Sequence, residues 1–144
     1  MPPALLALAA PGYFDRTSAG GAAPVDYAGL QRALGEKFGR LMNYGDGVYG
    51  GMFVCGMYTA AFVESDVRKV AEAGLACIPP QSEYAKLIRD LLDWSAHYPD
   101  DWRKVWQMIE DKWDQNDPCP DGALTPFNID AKLNGAYVAL GLLY

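Results

Sequence analysis

Gly47 to Val63 reads GVYGGMFVCGMYTAAFV, an uncharged run bracketed by Asp46 and Glu64. Its length sits at the lower edge of the ~17–25 residues a membrane-spanning helix needs. Both flanks are acidic, and no Lys/Arg asymmetry or second span supports insertion. The run therefore reads as a helix buried in a protein core. Gly47, Gly51, Cys55 and Thr59 fall on one edge of it, and an edge of small residues lets another helix backbone come close.

Upstream, Asp26 is placed to cap a helix reaching about Met42, with Leu30, Leu34, Phe38 and Leu41 on one apolar stripe. Downstream, Glu64-Ser65-Asp66 opens a third helix, patterned by Val67, Val70, Ala71, Gly74, Leu75 and Ile78 and stopped by Pro79-Pro80. Ser82 then caps a helix whose inner face is Tyr84, Leu87, Ile88, Leu91, Trp94 and Tyr98. Asp100 is expected to cap the next, with Trp102, Val105, Trp106, Ile109 and Trp113 inward. Asn128 is expected to cap a last helix, where Ala131, Gly135 and Ala139 form a second small edge opposite Leu133, Tyr137, Leu140 and Tyr144. No run alternates long enough for a strand, so the fold class is all-α. Residues 1–25 are rich in Ala, Gly and Pro and read as a loop-rich lead-in to a helical region over 26–144.

The chain has 144 residues, 51% of them hydrophobic, which suits one globular domain or a large piece of one. A net charge of −6 argues against a nucleic-acid binder and against docking on anionic lipid. Cys55, Cys77 and Cys119 form no C-x-x-C pair, and the single histidine, His97, completes no zinc set. Such cysteines read as reduced thiols in a cytoplasmic protein. The apolar segment Ala4–Ala10 lacks the preceding Lys or Arg of a secretory signal.

Three motifs invite chemistry. Gly45-x-Gly47-x-x-Gly50 matches the dinucleotide fingerprint literally, but helical sequence precedes it, and Glu64 and Asp66 come too early for the ribose-binding acid. Glycines at a helix start also expose backbone amides to a phosphate, an arrangement that Asp46 opposes by its charge. Their plainer role is a tight turn and close helix packing. Asp114, Asn116, Asp117 and Asp121 suggest calcium, yet Pro118 and Cys119 occupy positions where an EF-hand loop needs a ligand and a glycine. His97 has no Ser or Cys beside it that looks like an activated nucleophile. The four tryptophans read as core anchors.

Three longer stretches carry a resemblance: MNYGDGVYGGMFVCGMYTAAF, then GLACIPPQSEYAKLIRDLLDW with DDWRKVWQMIEDKW, then CPDGALTPFNIDAKLNGAYVALGLLY. In this order, over about residues 26–144, the chain resembles the central part of the ADP-ribosylglycohydrolase family. The resemblance implies an all-α, multi-helix bundle, here incomplete. It also implies a Mg²⁺-dependent hydrolase that cleaves glycosidic bonds to ADP-ribose. Two metals would hold the ribose hydroxyls and a water.

Relatives hold those ions with a Thr/Ser-Asp-Asp-like cluster upstream and a Gly-x-Asp-Ser/Thr-Asp-like motif downstream. This sequence has neither; Asp15 and Asp130 do not match them. The chain ends at Tyr144 inside an apolar helix and reads as a fragment, with no catalytic or metal residues assigned and hydrolysis not expected of it alone. The resemblance does imply an ADP-ribose-facing surface. Asn43 stands where many relatives carry His or Asn before the glycine turn, and Gly45, Gly47, Tyr49 and Gly50 border the cleft. Asn128, Asp130 and Asn134 in the last stretch are further candidates. The expected partner is ADP-ribose or an ADP-ribosylated substrate. A non-catalytic helical module that binds ADP-ribose or a protein is the alternative. The third reading is a truncated reading frame with no selected function, whose exposed apolar helix faces would promote self-association.

Overall fold

The computed structural model describes residues 27–114 and 130–144, and these form helices and turns with no strand among them. In chain order the helices are α1 (Tyr27–Gly39), α2 (Asp46–Ala60), α3 (Val67–Ala76), α4 (Glu83–His97), α5 (Trp102–Trp113) and α6 (Ala131–Leu143). The protein is all-α over these residues. No helix among them is long and apolar enough to cross a membrane. The chain divides after Pro80 into two compact units, α1–α3 and α4–α6.

In the first unit α2 is the middle helix, packed on α1 and on α3. Its buried residues are Val48, Met52, Phe53, Gly56 and Met57. The contact with α3 depends on two facing glycines. A Cβ on Gly56 would lie 2.9 Å from the Gly74 Cα, and one on Gly74 would lie 2.7 Å from the Phe53 carbonyl oxygen. Only residues without a side chain allow the two backbones this close. Asp66 starts α3, its carboxylate accepting hydrogen bonds from the Arg68 and Lys69 amides and so satisfying two of the orphan donors at the helix end.

The contact between α1 and α2 differs from the sequence expectation. The small residues that matter lie on α1: Gly35 and Gly39 face Met52 and Val48, at 3.4 Å and 3.3 Å from their hypothetical Cβ atoms. On α2, Gly51 has nothing within 4 Å of such an atom, whereas Cys55, although exposed, has its Cβ 3.7 Å from the hypothetical one of Gly35. Leu34, Phe38 and Leu41 of the α1 stripe face outward. A stripe read from periodicity marks one side of a helix, and here two glycines on another side allow a closer and better-fitting contact. Asp26, the expected cap, and the Leu30 side chain lie outside the described residues.

The second unit joins α4, α5 and α6, each in contact with the other two. Ser82 caps α4 as expected, its hydroxyl accepting from the Ala85 amide at 3.1 Å. Tyr84, Leu87, Ile88 and Leu91 are fully buried, as are Val105 and Ile109 of α5. Each such side chain contributes on the order of 1.5–3 kcal/mol by leaving water. Gly135 of α6 lets the Tyr84 ring lie against its backbone; a Cβ there would be 1.8 Å from the phenol oxygen. Trp113 is buried and donates its indole N–H to Asp90 at 2.8 Å, which ties α5 to α4.

Two caps fall one or two residues from their expected places. Asp101, not Asp100, caps α5, accepting from the Lys104 amide at 3.0 Å. Asp130, not Asn128, caps α6; Asn128 lies outside the described residues. In each case neighbouring residues have equal capping chemistry, so composition does not choose between them.

Candidate functional site

The glycine turn between α1 and α2 has a definite geometry. Gly45 adopts φ 52° and ψ −128°, the values of the first central residue of a type II′ turn, where glycine avoids a steric penalty. The turn closes with the Gly47 amide donating to the Tyr44 carbonyl at 3.2 Å. The amides of Val48 and Tyr49 both donate to the Gly45 carbonyl, at 3.0 and 3.2 Å. Three of the amides expected to cradle a phosphate are thus already engaged with carbonyls of the turn. The element that leads into the turn is the helix α1.

Side chains give the turn its outward character. Asn43 is exposed and rests over Gly47, where a Cβ would lie 3.0 Å from the Asn43 Cβ and 3.2 Å from its Oδ1. Gly47 thereby leaves room for the amide group of Asn43. Tyr44 is exposed, and Tyr49 and Gly50 are half-buried on the first turns of α2. Asn43, Gly45 and Gly47 therefore do come together.

At the start of α6, Asp130 accepts from the Lys132 amide at 2.7 Å and pairs with the Lys132 ammonium at 3.3 Å. The Asn134 backbone amide donates to the Asp130 carbonyl at 3.1 Å, and its side chain is exposed. Asp130 and Asn134 thus share the first turns of that helix. They belong to the second unit, whereas Asn43–Gly50 belong to the first.

Among the described residues no three His, Cys, Asp or Glu side chains gather as a metal ion would require. Asp130, the carboxylate of the matching stretch, already serves as a helix cap and a lysine partner. The described residues do not fit a two-metal centre. His97 sits in the last turn of α4, its Nδ1 2.8 Å from the Asp93 carbonyl oxygen. The Asp114–Phe127 loop and its calcium-like pattern lie outside the described residues after Asp114.

A groove that the sequence reading did not anticipate lies between α5 and α6. Trp102, Trp106, Tyr137, Leu140, Gly141 and Tyr144 line about 480 Å³ of space. Trp102 and Trp106, expected in the core, are 44% and 40% exposed here. Tyr144 donates its hydroxyl to the Tyr98 carbonyl, Tyr137 donates to Glu110, and the Arg103 guanidinium stacks 4.7 Å from the Trp102 ring centre. A Cβ on Gly141 would meet nothing within 4 Å, which deepens the floor. The available signal was the i, i+4 spacing of the two tryptophans together with an exposed glycine two turns along α6 from Asn134.

The Glu83 carboxyl at the start of α4 is held below its usual value, chiefly by a hydrogen bond from the Lys86 ammonium. It is exposed and pairs with Lys86 at 2.6 Å.

Compared with protein families, with curated proteins and with solved structures, the chain matches none of them.

Proposed function

We propose that this chain is the central helical part of an ADP-ribosylglycohydrolase-like polypeptide, supplying surface that faces ADP-ribose and not the metal centre. The observation that supports this reading is a division within the resembling stretches. Their unusual buried residues are accounted for by packing: Phe53 and Gly56 against Gly74, and Tyr84 against Gly135. Other residues of the same stretches are exposed, among them Asn43, Tyr44 and Asn134. Exposed amide and phenol groups are suited to hydrogen-bond ribose hydroxyls and to stack on adenine. Because three amides of the glycine turn are engaged locally, binding there would use the Asn43 and tyrosine side chains.

A second support is that α6 is apolar around much of its circumference yet leaves one side open. On α6 the open side includes Val138, Gly141 and Leu142. A helix of that kind is ordinarily covered on all sides, which fits a piece of a larger bundle.

Isothermal titration of the purified chain with ADP-ribose tests the reading. Binding is expected, unchanged when Mg²⁺ is removed, and weakened at least fivefold by Asn43→Ala. Absence of binding at millimolar ADP-ribose would refute it. Release of ADP-ribose from an ADP-ribosylated peptide by this chain would refute the non-catalytic assignment.

A further inference from the structure

We infer that the α1/α2 face of the first unit is a self-association surface, and that its occupant is the same face of a second copy of this chain. The geometry follows from helical spacing. Gly35 and Gly39 of α1 meet Met52 and Val48 of α2, so the two helices run antiparallel. With 3.6 residues per turn, Leu34 and Phe38 lie on one flank of the α1 contact line, and Leu41 follows in the turn after the helix. On α2, Phe53, Gly56 and Met57 turn towards α3, and Gly51, Val54 and Tyr58 lie on the opposite flank. Antiparallel pairing brings the two open flanks to the same side, away from α3.

This side is apolar and projects into solvent. Phe38 is 66% exposed, Leu41 75% and Tyr58 68%, with Leu34 and Val54 near one half. Taking ~150–250 Å² for each aromatic side chain and less for Leu and Val, scaled by these exposures, they offer about 500 Å² per copy. That is at the upper end of what a monomer ordinarily leaves uncovered. Two copies face to face would bury about 1,000 Å², the lower bound for a specific interface. A heterologous contact would leave one of the two faces uncovered, whereas a two-fold pairing covers both.

Charge points the same way. The chain carries a net −6, so two copies repel in general. No ionisable acid or base lies between Asp46 and Glu64, apart from the weakly acidic Tyr49, Cys55 and Tyr58 side chains. The α2 half of the face therefore brings no like charges together. Gly51 has open space where a side chain would stand, so no α2 side chain at that position obstructs the approach of the other copy.

The inference is independent of ADP-ribose binding, since either property can fail alone. The test is the mass in solution by light scattering with size exclusion, across a dilution series of the full chain. The expected result is twice the chain mass at tens of micromolar, falling to the chain mass on dilution. Phe38→Ser with Tyr58→Ser, both at exposed positions, should raise the dimer dissociation constant at least tenfold with helical circular dichroism unchanged. Val138→Ser with Leu142→Ser, on the open side of α6, should leave it unaltered. A wild-type monomer at all concentrations would overturn the inference. So would loss of the dimer in the α6 variant alone, or growth to ever larger particles.

Discussion

Gly135→Ala sets two physical effects against each other at one position. Gly135 lies inside α6, where replacing glycine by alanine ordinarily stabilises a helix by about 1 kcal/mol. Here the new methyl would lie 1.8 Å from the Tyr84 phenol oxygen and 2.6 Å from the ring carbon that bears it. The ring has no way to retreat, because Tyr84 is fully buried. Overpacking of this kind typically costs 1–3 kcal/mol, occasionally more, and so severe an overlap belongs at the upper end. The net expectation is a loss of about 1–2 kcal/mol, or roughly 3–8 °C in melting temperature for a chain of this size. All four tryptophans lie in the second unit, so their fluorescence during thermal unfolding reports on the unit that contains the substitution. Tyr84→Phe in the same background removes the nearest atom and should recover part of the loss. If Gly135→Ala melts at or above the wild-type temperature, the close seating of Tyr84 on α6 is wrong.

The remaining expectations are simpler. Gly141→Ala, with nothing near its Cβ, should raise stability by about 0.5–1 kcal/mol in the same fluorescence assay. Asp66→Ala removes the acceptor of two amides at the start of α3 and should cost about 1 kcal/mol; the first unit has no tryptophan, so circular dichroism in urea is the measurement. Gly45→Ala forces a side chain into a left-handed backbone geometry and should cost about 1–3 kcal/mol by the same measurement. Glu83 has its carboxyl below the ordinary 4.5 through Lys86. Its small contribution is present above that ordinary value and is lost as pH falls through the lowered one. Melting temperature against pH should show a slightly shallower acid decline in Lys86→Met.

The helices were legible because their signals are local. Ser82 and Asp66 act through amides two or three residues away, and the apolar spacing of α4 reports one buried face. The tertiary choices were less legible. Leu34 and Phe38 make as good a stripe as any buried one, and nothing local says that Gly35 and Gly39 win the contact. Trp102 and Trp106 share the spacing of Val105 and Ile109 but lie at the margin of the core, where one helical step separates burial from solvent. Of the site residues, Asn43, Gly45 and Gly47 were readable as one turn because they are neighbours in sequence. The engagement of the turn amides was not, because it depends on the ψ of Gly45. The α5/α6 groove was missed because an empty space has no residue of its own and depends on the register of two separate helices.

The facing glycines Gly56 and Gly74 have a consequence for how this sequence can change over generations. Neither position has room for even one added carbon, because the obstacle on each side is partly the other helix's backbone. A larger residue at one cannot be offset by a smaller one at the other, since nothing is smaller than glycine. The only way out is to move α3 bodily across α2, which disturbs every contact along the crossing. The pair therefore acts as a ratchet: once both helices have come to rest on bare backbone, single substitutions lead only to worse packing, and variation is diverted to the outward-facing positions around them.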